Sequence, residues 1–160
     1  MRGKEKVISR LNEALRAELI AINQYFLHAE MCENWGYHRL GGLIKKQSID
    51  EMKHAEKVIE RILFLDGTPN MGMGLPIRVG ATVPQQIEND LALELEASVQ
   101  YNASIRICVE EGDNVSRELF EGLVRDEEEH IDFLEAQLQI IKDAGVENYL
   151  IEQTREDEGD

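Results

Sequence analysis

The chain has 160 residues, 42% of them hydrophobic and 31% charged, and a formal net charge of −15. That length suits one domain with one core, that balance excludes a disordered chain, and no apolar run approaches the ~20 residues that cross a bilayer. The acidity repels a nucleic-acid backbone and attracts cations, which excludes nucleic acid as a partner and admits metal ions.

The first ten residues are charged and carry no apolar signal region, so the chain reads as cytoplasmic, with no membrane segment. Prolines occur only at Pro69, Pro76 and Pro84, which leaves residues 4–66 and 85–160 free of the strongest helix breaker. Apolar spacing then predicts four long helices. The first runs from Glu5 to Asn34, with Leu11, Leu15, Glu18, Ile22, Tyr25 and Ala29 on one stripe. The second runs from His38 to Leu65, with Ile44, Gln47, Glu51, His54, Val58 and Ile62. A Gly/Met-rich connection holding Asp66, Gly67, Thr68 and Pro69 reaches to Val83. The third helix starts after Pro84 and ends near Glu111, with Ile87, Leu91, Glu94, Ser98, Tyr101 and Ile105. The fourth runs from Val115 to Ala144, with Phe120, Leu123, Glu127, His130, Leu134 and Leu138. Gly36, Gly67, Gly112 and Gly145 stand where a left-handed cap residue is wanted. A short fifth helix is expected from Val146 to Gln153, and an acidic frayed tail over 154–160. The whole is one domain, with the bundle over about 4–144.

The link between the second and third helices is long enough to change the topology. At ~3.3 Å per residue it reaches nearly 60 Å, against ~42 Å for a 28-residue helix. It can therefore run the full length of the bundle and set the third helix parallel to the second. The two other turns are short and force antiparallel hairpins. The expected fold is all-α: a four-helix bundle with a long crossover and a short fifth helix.

Shifting the sequence by 76 residues shows an internal repeat. Glu18-Leu19-Ile20-Ala21-Ile22-Asn23-Gln24-Tyr25 falls on Glu94-Leu95-Glu96-Ala97-Ser98-Val99-Gln100-Tyr101, and Asp50-Glu51-Met52-Lys53-His54 falls on Asp126-Glu127-Glu128-Glu129-His130. Glu18 to Glu51 and Glu94 to Glu127 are both 33 residues apart, centred on the two hairpin turns. Each hairpin thus presents a glutamate level with a Glu-x-x-His, whose two members share a helical face. All six groups lie on apolar stripes and should meet in one core.

Four buried carboxylates without compensation would cost several kcal/mol per ion. Two divalent cations cancel their charge. Carboxylate oxygen mixed with imidazole nitrogen suits iron, manganese or zinc better than calcium or magnesium. Asp50 and Asp126 are expected to accept hydrogen bonds from His130 and His54 across the bundle and fix the ring tautomers. Tyr25 and Tyr101 read equally as hydrogen-bond partners or electron donors at the site and as plain core aromatics. His28 and His38 lie off the repeat's metal positions and read as structural or exposed. Cys32 and Cys108 fall at opposite ends of the bundle, so no disulfide is expected between them, and without a C-x-x-C there is no rubredoxin-like site.

The chain resembles bacterioferritin from Met1 to about Gln153, on Met1-Arg2-Gly3, Ala17-Glu18-Leu19, Asn23-Gln24-Tyr25-Phe26 and Asp50-Glu51-Met52-Lys53-His54-Ala55-Glu56. The resemblance implies a ferritin-like fold and a di-iron ferroxidase centre at Glu18, Glu51, His54, Glu94, Glu127 and His130. It implies oxidation of Fe(II) to Fe(III) by oxygen or hydrogen peroxide, and storage as mineral in a shell of 24 subunits. It also implies one haem b per two subunits, held by Met52 and its twofold mate, and a ferredoxin as reductant for release. Met52 lies ~130° from the Glu51/His54 face, consistent with a role outside that site. Lys46 and Gln47 depart from the histidine that some members use for a further iron on the inner surface. Two alternatives stand beside storage: an oxygen- or peroxide-reducing di-iron enzyme like rubrerythrin or manganese catalase, and a haem-binding shell with a structural di-metal site.

Overall fold

The computed structural model describes residues 1–156, so the end of the expected acidic tail lies outside the described residues. Five helices follow in order: α1 (Glu5–Asn34), α2 (His38–Phe64), α3 (Val83–Glu111), α4 (Asn114–Ala144) and α5 (Val146–Gln153). Among the described residues there is no strand, and no helix is long and apolar enough to cross a membrane.

The helix ends follow from local chemistry. At the end of α2 the left-handed residue is Asp66 (φ 58°), where Gly67 was the expected one. Asp66 N–H donates to the Leu63 carbonyl at 3.1 Å and Gly67 N–H to Ile62 at 2.9 Å, which completes a Schellman cap around an aspartate. Gly67 is needed for space, since a Cβ there would sit 2.9 Å from Ile8 Cγ2. The third helix also begins earlier than expected. Thr82 caps α3 by accepting from Gln85 N–H, and Pro84 sits inside the first turn, where its missing N–H costs nothing. Asp113 caps α4 by accepting from Ser116 N–H at 2.9 Å, and Arg61 of α2 donates to it at 2.8 Å.

α1 pairs with α2 and α3, and α4 with α3 and α2, giving a square bundle. Two apolar clusters fill it above and below the middle. One holds Leu11, Leu15, Val58, Ile62, Tyr101, Phe120 and Cys108, and the other Tyr25, Cys32, Leu40, Ile44, Ile87 and Leu134. The thiols thus lie in different clusters, both buried and free.

The crossover strap runs beside α1 from one end to the other. Asn12 Nδ2 donates to Thr68 O at 3.2 Å, Arg16 to Gly74 O at 3.3 Å, Arg78 N–H to Gln24 Oε1 at 2.9 Å, and Gly80 N–H to His28 Nε2 at 3.0 Å. It delivers α3 to the end of α1 where α2 also starts, so α2 and α3 run parallel. His28 is fully buried, and because Nε2 accepts, Nδ1 carries the proton and donates to Asp90 Oδ1 at 2.8 Å. Gln24 donates to the same oxygen at 2.8 Å. Gly80 permits this docking, because a Cβ there would lie 2.6 Å from Gln86 Cα. Gly80→Ala is expected to destabilise the protein by about 1–3 kcal/mol in urea unfolding, with unchanged helix content.

Candidate metal centre

The middle of the bundle, between the two apolar clusters, is polar. Glu18, Glu51, Glu94 and Glu127 are each 1% exposed, and His54 and His130 are buried. Their convergence follows from the shared period of the apolar stripes and the Glu-x-x-His spacing, so the same forces that bury the leucines bury the carboxylates.

Two overlapping donor groups result. Glu18, Glu51, His54 and Glu127 offer one ligand atom each, all within 4.8 Å of one another, and so do Glu51, Glu94, Glu127 and His130. Glu51 and Glu127 belong to both. His54 turns Nδ1 to the cluster, 3.2 Å from Glu127, 3.3 Å from Glu51 and 3.5 Å from Glu18. His130 does likewise, with Nδ1 2.8 Å from Glu51 and 3.4 Å from Glu94.

The outer nitrogens face the two aspartates across the bundle. His54 Nε2 lies 2.8 Å from Asp126 Oδ2, a hydrogen bond that leaves the Nδ1 lone pair free for the cluster. His130 Nε2 lies 3.6 Å from Asp50 Oδ2, an ion-pair distance and too long for a hydrogen bond. The tyrosines bond glutamates of the opposite hairpin. Tyr25 donates to Glu94, and Tyr101 donates to Glu18 at 2.6 Å. Burial and the neighbouring carboxylates push both phenols well above their ordinary range, so both stay protonated.

Electrostatics show what the cluster lacks. Burial, with Glu18 and Glu94 beside it, pushes Glu51 well above the usual carboxylate range. Burial also raises Glu94, against the pull of His130. Glu18 feels the same burial, but its bonds with Glu51 and His54 outweigh it and hold it low. For both imidazoles burial works downward, and the facing carboxylates prevail and raise them. Even so, Glu18 Oε2, Glu51 Oε1, Glu94 Oε2, Glu127 Oε1 and His130 Nδ1 are buried without a hydrogen-bond partner. Orphaned acceptors at this density are costly in a core, and cations among them would satisfy them together. The residues present therefore fit a pair of divalent metal ions.

Met52 points away from this cluster and is 50% exposed, with Ile49 exposed one turn before it. Lys46 is also exposed, while Gln47 is buried and its Oε1 has no partner. His38 is exposed and pairs with Glu33 at 2.6 Å. The buried Gln24–His28–Asp90 network is absent from the sequence-level site. Its signal was a difference between the repeats, because Asp90 and His28 fall on Ala14 and Ser104 under the shift. At the matching place in the other half, Arg10 donates to Ser104 Oγ at 2.8 Å and to Gln100 O at 3.0 Å.

Comparison with known proteins gives a consistent result. The model of the ferritin-like domain family matches residues 8–144. A bacterioferritin of Brucella melitensis is 48% identical over 93% of this chain and 92% of its own length. One of Mycobacterium leprae is 48% identical over 93% and 94%, and one of Rhodobacter capsulatus 43% identical over 94% of each.

Proposed function

This chain belongs to the bacterioferritins, a family with the ferritin-like domain, and on that premise we propose that it stores iron and oxidises it at the buried cluster. The observation that carries the reading is the convergence of four glutamates and two histidines with five donor atoms left unpartnered. Glu18, Glu51, His54 and Glu127 would hold one Fe(II), and Glu51, Glu94, Glu127 and His130 the other. Iron is the substrate: two Fe(II) would give two electrons, which with two protons take oxygen to hydrogen peroxide or hydrogen peroxide to two waters, and the Fe(III) would pass on for deposition. The chain's own part is positional. Asp126 orients His54, while Tyr101 and Tyr25 each hold one carboxylate in place across the hairpins.

We place this chemistry in a homo-oligomeric shell of 24 subunits built from haem-bridged dimers. The family supports that assembly, and Met52 supports it locally: its half-exposed thioether, beside the exposed Ile49, would hold a haem iron together with Met52 of a second copy. A ferredoxin is the proposed reductant for iron release.

Fe(II) added in air to the purified protein tests the reading, with particle size measured alongside. Fe(III) formed above the buffer rate and retained in a large particle supports storage. Oxidation without retention, in a small particle, points to the oxygen-reducing enzyme instead. Met52→Leu is expected to abolish the haem absorption and leave Fe(II) oxidation within twofold of the parent. Loss of both would contradict separate sites.

A further inference from the structure

A cavity of about 340 Å3 opens between α1 and α3 and reaches Glu18, Glu51, Glu94 and Glu127. The cross-bonds Tyr25–Glu94 and Tyr101–Glu18 put Ala21 and Ala97 level with each other on the two antiparallel helices. Both line the cavity, and their small side chains leave the passage open at the height of the cluster.

Charge at this mouth is unevenly balanced. Glu13 pairs with Arg10 at 3.1 Å, and Glu96 pairs with Arg78 of the strap at 2.7 Å. Arg16 lines the same cavity and, among the described residues, has no carboxylate partner. Its Nε is out of solvent without a hydrogen-bond partner, and one terminal nitrogen rests on Gly74 O at 3.3 Å. An ion passing inward therefore meets two neutralised pairs and one uncompensated guanidinium before the carboxylates. The opening on the other side, between α2 and α4, is smaller at about 230 Å3 and carries Lys53 and Lys57 beside Asp50, Asp126 and Glu129. The α1–α3 mouth is thus the wider of the two openings, and Arg16 is, among the described residues, the one charge on it that no carboxylate balances.

We propose that Arg16 is a charge gate that sets the rate at which divalent cations pass through the α1–α3 cavity to the glutamate cluster. The inference rests on the reading of that cluster as a metal centre. A +1 charge beside the path of a +2 ion repels it on approach, before the four carboxylates take hold of it.

Stopped-flow binding of Co(II) to the metal-free full-length protein, read by its visible absorption, tests this. Arg16→Gln is expected to raise the binding rate about three- to tenfold at low salt with unchanged stoichiometry, and Arg16→Lys to stay near the parent rate. The gain should fade in 1 M salt, where the charge is screened. Ala97→Leu, which narrows the passage, should slow binding. An equal rate for Arg16→Gln and the parent overturns the gate. So does a gain that persists in high salt, which would mean that the strap had merely loosened. If the parent binds no Co(II), or Glu18→Ala binds as the parent does, the metal-centre reading falls and the gate with it. Normal binding that Glu18→Ala diminishes, at a rate indifferent to Arg16, overturns the gate alone.

Discussion

Glu51→Ala is expected to abolish binding of both cations, whereas Glu18→Ala leaves one. Glu51 and Glu127 contribute to both donor groups, while Glu18 with His54 and Glu94 with His130 each serve a single group. Removing a shared carboxylate strips a ligand from each half and one bridging negative charge from the pair. Co(II) titration should read two equivalents for the parent, one for Glu18→Ala and for Glu94→Ala, and none of comparable affinity for Glu51→Ala. Fe(II) oxidation in air should fall more than about 100-fold in Glu51→Ala, since even removal of a supporting residue costs 10–100-fold at metal sites. Two full equivalents in Glu51→Ala would show that the shared geometry is wrong. The same position should behave oppositely in stability. Its carboxyl is raised by burial, so Glu51→Gln removes a strained group from the metal-free core and is expected to raise the urea midpoint while losing function.

Without metal, stability should fall on both sides of a pH optimum, and metal should matter most on the alkaline side. Glu51 and Glu94 lie above their ordinary value of 4.5 in the folded protein. Their contribution is fully present below that value and is lost as pH rises through the folded ones. His54 and His130 are raised above 6.5, so theirs is present below 6.5 and is lost on further alkalinisation. Glu18 runs the other way: its depressed carboxyl contributes above 4.5 and is lost as pH falls through its folded value. Metal binding displaces the protons that Glu51, Glu94, His54 and His130 retain, so affinity should rise with pH and protons should be released. At free cation about 1,000-fold over Kd, stabilisation of about 4 kcal/mol per bound cation is expected. Urea midpoints at pH 5, 6.5 and 8, with and without Co(II), check this. A metal-free protein more stable at pH 8 than at 6.5 would contradict the raised groups.

Much of the centre is legible in the sequence because its ligands obey the rule that makes the helices. Glu18, Tyr25, Glu51 and His54 sit on the apolar stripe, and duplication repeats them at one shift, so periodicity finds fold and site together. The tyrosines' partners follow less directly, since only packing shows each phenol crossing to the other hairpin. What escapes sequence reading departs from period and repeat. Asp66 adopts a left-handed conformation beside a glycine that looks better suited, because Gly67 is spent on clearance from Ile8. Thr82 begins α3 before a proline that reads as a breaker. Asp90 and His28 matter through each other, 62 residues apart, and neither has a like mate under the shift. Arg16 acquires meaning only from the carboxylates that other arginines have already taken.

Each donor group draws on both hairpins: Glu127 joins three residues of the first, and Glu51 joins three of the second. A cation bound there is a coordinate staple between two halves that are otherwise joined covalently only through the strap. The strap then acts as a tether that keeps the second half at high local concentration, and doubling a tether's length costs only about 0.6 kcal/mol. A chain nicked near Gly72 would thus become a split protein whose reassembly is metered by metal, with the ligand set serving as the address by which one half finds the other.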